Sequence, residues 1–426
     1  MAGTPADENS RGEPARRVTD LLAVLEVSRR LAALPELTPL LELIERSALR
    51  VLDCERASLF LYDRRTDELY SLVATGDRPM RFAANLGFAG QVFRTGQVVN
   101  VPDAYADPRF NPAIDRQTGF RTRSILTCPL SGWDNTTVGV LQVLNKRTGP
   151  FDAWDEVLAQ TFGAQAGVAI QRQLLLEEYE RKQHFARAMD LARQIQQGLL
   201  PEQPPRAVGF DIAGWSQPAD ETGGDFFDFR ELAGGDLAVT VADASGHGIG
   251  AALVVAECRA LLRATLAADE PLDRVVARVN RLLCDDLANG WFVTAFLGLL
   301  SAASGRLGYV SAGHGPVLFF ERAGGTVQEL SVQGIPLGVL PDAPFGPPGS
   351  VAFAPGDFVA IVTDGVFEWA DARGECFGVG RLRERIRRDR DLPAAEIIRN
   401  LHRAVLDFAG DRSQPDDLTA VVIKKL

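Results

Sequence analysis

Along the first half of this 426-residue chain the apolar positions switch between two periods. Leu21, Leu22, Leu25 and Leu31 give Val18 to Leu34 a helical spacing, and a second helix is predicted from Leu37 to Leu52. Ala57 to Tyr62 then reads as a strand, with a turn at Asp63 to Asp67 and a hairpin partner at Leu69 to Ala74. Ser124 to Leu130 and Val138 to Asn145 predict two more strands. Between the two hairpins lies a Gly-, Pro- and Asp-rich stretch, Gly87 to Thr122, read as irregular. Trp154 to Leu174 returns to helical period. Helices flanking a sheet, with an irregular segment over one face, predict an α+β domain of sensor type.

Gln171 to Leu200 contains no proline and little glycine and is expected to be one helix, ended by Pro201, Pro204 and Pro205. Phe185, Ala188, Ala192, Ile195 and Leu199 fall at alternating spacings of three and four, a heptad seam two heptads long. Such a seam serves either as an amphipathic face packed on the chain's own domain or as a parallel dimer contact, and a homodimer is the expectation. From Phe210 the pattern turns to sheet. Phe210 to Trp215, Phe227 to Leu232, Leu237 to Ala242, Phe292 to Leu300, Gly308 to Ser311, Val317 to Glu321, Phe358 to Thr363 and Ala420 to Lys424 read as strands. Ala251 to Ala267, Leu272 to Leu287 and Ala394 to Ala409 read as helices. Two long helices between two runs of antiparallel strands predict an α/β sandwich.

Four aspartates sit at the ends of these strands, three of them close to glycine: Asp225 in Gly223-Gly224-Asp225, Asp243 in Asp243-Ala244-Ser245-Gly246, Asp364 in Thr363-Asp364-Gly365, and Asp416 in Asp416-Asp417-Leu418-Thr419. Carboxylates far apart in sequence can converge where strands end, and converging carboxylates repel unless a cation lies between them. With no Cys or His cluster nearby, zinc is disfavoured. An all-oxygen donor set suits Mg2+ or Mn2+. A lone Asp beside Gly is more often a turn or cap, so it is the set of four that carries the expectation of a metal-dependent enzyme.

Composition narrows the class. A net charge of -11 argues against nucleic-acid backbone as a partner. No stretch reaches the roughly 18 apolar residues of a membrane span. The five dispersed cysteines suggest neither a zinc site nor a disulfide framework, and a reducing cytoplasm is the expected compartment. Residues 1–17, rich in Ala, Gly, Pro and charge, are expected to be disordered and to be neither signal nor anchor.

Residues 18–173 resemble the GAF family of small-molecule-binding domains through Gly87-Phe88-Ala89-Gly90-Gln91-Val92-Phe93-Arg94-Thr95-Gly96, Val101-Pro102-Asp103, Arg123-Ser124 and Gly139 to Lys146. Within that stretch Asn145-Lys146, Phe151 and Asp155-Glu156 are similar to the signature of cyclic-nucleotide-binding members, although the gap from Lys146 to Phe151 is short. Physically the signature implies a Lys–Asp pair latching the sheet to the next helix. The resemblance implies a small molecule or a cyclic nucleotide as ligand, or a domain that only dimerises.

Residues 174–203 form the helical linker, and 204–426 resemble the PPM family of metal-dependent serine/threonine phosphatases, in its sporulation stage II E-like branch. The carrying residues include Ile195-Gln196-Gln197-Gly198-Leu199-Leu200-Pro201, Gly223 to Asp228, Asp243 to Gly248, Phe292-Val293-Thr294, Ser311 to His314, Pro336-Leu337-Gly338, Pro355-Gly356-Asp357, Thr363-Asp364-Gly365 and Asp416 to Thr419. The resemblance implies an αββα sandwich, and two Mn2+ or Mg2+ ions that activate a water for in-line attack on phosphorus. Asp243 would bridge the ions, the carbonyl of Ala244 would complete one sphere, and Asp364 and Asp416 would hold the second ion. Asp225 would hold a water or bind directly, with Asp228 and Asp417 supporting or capping. His247 reads either as a proton donor to the leaving oxygen or as a loop residue, His314 as structural, and the basic run Arg381 to Arg390 as a solvated helix face. The implied substrate is a phosphoserine or phosphothreonine on a partner such as an anti-sigma-factor antagonist. The alternative is a non-catalytic sensor or scaffold that keeps the fold.

Overall fold

The structure, a computed structural model, describes residues 9–73, 80–266, 270–287 and 290–426. The chain divides between Gln183 and His184 into two units.

The first unit contains α1 (Asn9–Ala32), α2 (Leu37–Val51), β1 (Cys54–Asp63), β2 (Glu68–Tyr70), β3 (Arg81–Ala83), α3 (Gly87–Thr95), β4 (Val99–Val101), α4 (Ala113–Thr118), β5 (Ile125–Ser131), β6 (Thr137–Lys146) and the start of α5 (Ala153–Gln197). Its antiparallel sheet runs β3-β2-β1-β6-β5-β4. Alternation along the strands sends Leu59, Leu61, Leu126, Cys128, Leu130, Leu141 and Val143 to one face, where α1, α2 and α5 cover them. Leu158, Phe162, Ala166 and Ile170, at helical spacing on α5, complete that core. The other face carries Phe60, Leu69 and Val140 under Ala89 and Val92 of α3.

Two expectations change in this unit, and a third holds. Helix α1 begins at Asn9, so 9–17 is helical where disorder was expected; Met1–Glu8 lie outside the described residues, as does Ala74 of the predicted hairpin. Within α1, Asp20 accepts from the Trp154 indole at 3.0 Å, a contact that ties the helix down. The stretch 87–122, read as irregular, contains α3, β4 and α4. The Lys–Asp latch is present. Lys146 and Asp155, each 6% exposed, pair directly, and Asp155 also accepts from the Asp152 amide at 2.8 Å. Asn145, with a left-handed φ of 58°, accepts from the Arg123 amide at 2.6 Å and donates to Glu55 at 2.8 Å.

The second unit holds β7 (Phe210–Gln217), β8 (Asp225–Glu231), β9 (Leu237–Ala244), α6 (Ile249–Thr265), α7 (Leu272–Asp286), β10 (Val293–Ser301), β11 (Arg306–Ala312), β12 (Val317–Glu321), β13 (Thr326–Glu329), β14 (Gly349–Ala352), β15 (Phe358–Val362), α8 (Gly365–Glu368), α9 (Gly378–Arg388), α10 (Ala394–Ala409) and β16 (Leu418–Lys425). Two five-stranded antiparallel sheets, β14-β11-β10-β9-β8 and β13-β12-β15-β16-β7, pack face to face. The shared interior includes Phe227, Val239, Val241, Phe296, Val359, Ile361 and Val421. The outer face of the first sheet buries Phe226, Ala238 and Leu297 against α6 and α7, and that of the second buries Leu318, Ala360 and Val422 against α9 and α10. The result is the expected αββα layering. The edge strands β13 and β14 are additions to the expected set.

Helix α5 continues to Gln197, so Leu199 of the heptad seam lies beyond its end. Phe185 and Ile195 are 66% and 62% exposed. Three of the five arginines of α9 are paired within the chain: Arg381 with Glu375 at 2.5 Å, Arg383 with Glu329 at 2.6 Å and Arg385 with Asp389 at 2.6 Å. The basic run is thus partly neutralised by its neighbours. Among the described residues no helix is long and apolar enough to cross a membrane.

Candidate metal centre

Antiparallel pairing sets Asp225, the first residue of β8, directly opposite Asp243 near the end of β9. Asp243 is in turn opposite Thr294 on β10. From the second sheet, β15 delivers Thr363 and Asp364 at its end, and β16 is preceded by Asp416 and Asp417. Gly365 makes that approach possible: a Cβ there would lie 2.1 Å from the Asp417 carbonyl oxygen. Similarly, a Cβ on Gly224 would come within 3.0 Å of the Ala244 carbonyl oxygen, so glycine leaves that oxygen clear.

Side chains of the second sheet reach the first at this end. Thr363 donates its hydroxyl to Asp225 Oδ2 at 2.7 Å and accepts from the Thr419 amide at 3.0 Å. With the Thr419 amide on one lone pair, the hydroxyl proton remains available to Asp225. Asp417, 3% exposed, accepts from the amides of Ala219 at 2.7 Å, Gly224 at 2.5 Å and Asp225 at 3.3 Å, which is a capping role.

The charges strain one another. Burial raises Asp225 well above the ordinary carboxylate range, and the charges of Asp243 and Asp417 add to it. Asp243 is pushed up to about 8 by burial first, then by Asp364, Asp416 and Asp417. Asp364 is raised by burial and by Asp416. Among the described residues no three Asp, Glu, His or Cys side chains converge tightly enough to cage a single ion. Asp243 nonetheless feels the charges of Asp364, Asp416 and Asp417. Hard ions that keep part of their water shell need only one or two carboxylates each. The donor set therefore fits Mg2+ or Mn2+: oxygen only, mutually repelling, with an unobstructed carbonyl at Ala244.

The family model for Stage II sporulation protein E matches residues 233–425, and the GAF domain model matches residues 36–170. The chain is a GAF domain followed by a sporulation-E-type phosphatase domain. Asp243, Ala244, Asp364 and Asp416 fall inside the matched phosphatase stretch, whereas Asp225 lies just before it. The SiaA-PP2C domain of Pseudomonas aeruginosa superposes with a TM-score of 0.50 at 22% identity, covering 57% of this chain and 98% of that one, which shows the fold. Protein IcfG of Synechocystis is 28% identical over 262 residues, 55% of this chain and 41% of IcfG. A probable 3',5'-cyclic phosphodiesterase, pde-5 of Caenorhabditis elegans, is 33% identical over 150 residues, 32% of this chain and 20% of that protein. The chain thus spans less than half the length of these curated relatives.

Other residues of the phosphatase domain take roles the sequence left open. Asp228 does not support the carboxylate centre. It lies an odd number of residues from Asp225, so the pleat turns it to the other face of β8, where Arg263 of α6 holds it at 2.5 and 2.8 Å. It pins α6 to the sheet. His247 is exposed between Gly246 and Gly248, and its Nδ1 lies 2.7 Å from Asp220 Oδ2. His314, 2% exposed, shares a hydrogen bond of 3.0 Å between its Nδ1 and the Thr294 hydroxyl, and burial pushes it down to about 4, so it stays neutral. Thr363 and Gln196 were not singled out from sequence. A polar residue closing an apolar strand just before Asp364 was the available signal for Thr363.

Proposed function

We propose that the C-terminal domain is a metal-dependent protein serine/threonine phosphatase governed by the GAF domain. The observation that carries this reading is the group Asp225, Asp243, Asp364 and Asp416, brought to one end of the sandwich from both sheets, with burial and mutual repulsion raising Asp225, Asp243 and Asp364. Two Mn2+ or Mg2+ ions bound there would supply Lewis acidity toward phosphate and an activated water. Asp243 and the Ala244 carbonyl would hold one ion, Asp364 and Asp416 the other, and Asp225 would complete the set. Thr363 keeps one oxygen of Asp225 occupied. Asp417 fixes the loop that carries Asp225 by accepting from its amides. Rigid strands behind each ligand keep the geometry in register through turnover.

The substrate we favour is a phosphoserine or phosphothreonine of an anti-sigma-factor antagonist-type protein in the cytoplasm, in keeping with the family matched at 233–425. For the GAF domain a cyclic nucleotide is the first ligand to test, because pde-5 is among the similar proteins. The exposed apolar residues Phe185, Leu191 and Ile195 of α5 support a homodimer through that helix.

The test is hydrolysis of p-nitrophenyl phosphate and of a phosphorylated antagonist protein by the full chain, with Mn2+ or with EDTA. Metal-stimulated turnover that Asp243→Asn abolishes is the expected result. Equal, negligible turnover under both conditions would instead favour a non-catalytic scaffold.

A further inference from the structure

The last turn of α5 grips the loop that carries Asp225. Gln196 donates from Nε2 to the Gly223 carbonyl at 2.5 Å and accepts at Oε1 from the Gly223 amide at 3.0 Å. A primary amide is the side-chain group that offers a neutral donor and acceptor side by side, so it pairs with a peptide unit as a neighbouring strand would. The grip continues into the metal centre. Gly224 donates to Asp417 at 2.5 Å and its carbonyl accepts from the Ala244 amide at 2.9 Å, while the Asp225 amide reaches Asp417 at 3.3 Å. Residues 223–225 are therefore held on three sides: by the helix end, by Asp417 and by β9. Two of those holds belong to the carboxylate site itself. Gln196 is the one that arrives from a separate element.

We propose that Gln196 is a positioning residue, through which the end of α5 sets the placement of Asp225 and of the Ala244 carbonyl and so the affinity of the site for metal. Rotation or withdrawal of the helix end breaks both amide contacts together, since one side-chain group makes them. Ile195, the adjacent residue, is 62% exposed, so whatever covers this face of the helix acts one residue from the grip. The proposal rests on the metal-centre reading above.

The test uses the full chain with Mn2+ as probe. Free Mn2+ is read by electron paramagnetic resonance, and phosphatase turnover is followed against Mn2+ concentration. Gln196→Met keeps the length and apolar contact of the side chain and removes the amide. The expected result is Mn2+ binding weakened about tenfold, as loss of two hydrogen bonds implies, with kcat at saturating Mn2+ within about twofold of the parent. Gln197→Ala, one position on and exposed, is expected to match the parent. Should Gln196→Met fail to fold, Gln196→Glu keeps the acceptor, loses the donor, and is expected to weaken binding in the same direction. Parental Mn2+ affinity in either folded Gln196 variant overturns the proposal. So does loss of kcat at every Mn2+ concentration with affinity unchanged, the mark of a merely structural role. A parent chain that binds no Mn2+ removes the metal-centre reading as well, an outcome separable from failure at Gln196 alone.

Discussion

Replacing Asp243 by Asn tests whether the carboxylate cluster is built for a cation. In the metal-free fold Asp243 is pushed up to about 8, by burial and then by Asp364, Asp416 and Asp417, from an ordinary value of 3.8. A carboxyl whose folded value is raised holds its proton longer when folded than when unfolded. Its contribution to stability is intact below pH 3.8 and is lost progressively as pH rises through about 8. At roughly 1.4 kcal/mol per pH unit, keeping Asp243 protonated at pH 7, where the unfolded carboxyl is ionised, costs the metal-free fold up to about 4 kcal/mol. Asn keeps the shape and cannot ionise. For a unit of this size each kcal/mol shifts Tm by about 2–4 °C, so the variant should melt several degrees above the parent in EDTA. Scanning calorimetry of the full chain between pH 5 and 8, in EDTA and in Mn2+, reads this directly. The parent in EDTA should lose stability toward pH 8 and regain it with Mn2+. Asp243→Asn should be flatter with pH, higher in EDTA, unresponsive to Mn2+ and inactive. A variant melting at or below the parent in EDTA at pH 8 would refute the argument, because repulsion would then not be stored at this residue.

Two further outcomes follow from named contacts. Thr363→Val removes the donor to buried Asp225 and leaves the Thr419 amide without its acceptor, so urea unfolding should show a loss of about 1–3 kcal/mol together with weaker Mn2+ binding. Lys146→Ala strands the buried charge of Asp155 and should cost the GAF domain about 3–5 kcal/mol by Trp fluorescence in urea, whereas the double variant Lys146→Met, Asp155→Leu should recover most of it. Neither change at the latch is expected to alter Mn2+ affinity at the phosphatase site.

Local pattern alone placed the strands that matter. The β-branched runs ending at Asp243 and Asp364, and the run that follows Asp416 and Asp417, are β9, β15 and β16, because a strand buried between two layers needs apolar residues on both faces. The Lys146–Asp155 latch was expected only through the resemblance to the GAF signature, and the two side chains do pair. The position of Asp228 was misread: the resemblance implied support or capping at the site, whereas its odd spacing from Asp225 turns it to the helix side, onto Arg263. Composition misled at 87–95, where glycine suggested a loop. Phe88, Ala89 and Val92 instead bury a helical face against the sheet, and that burial outweighs glycine's low helix propensity. The short edge strands β13 and β14 have few residues and little burial, so they exist only because a neighbouring strand offers partners.

What the sequence by itself determined was which carboxylates stand at strand ends and what chemistry an all-oxygen set prefers. Only the tertiary structure decided how they meet. Asp225 faces Asp243 by strand register, touches Thr363 across the sandwich, and rests on a loop held by Gln196 from the end of a helix. Those contacts join residues 27 and 138 positions apart. Local periodicity carries information about which face a residue takes. Which distant face it meets is set by the packing of whole layers.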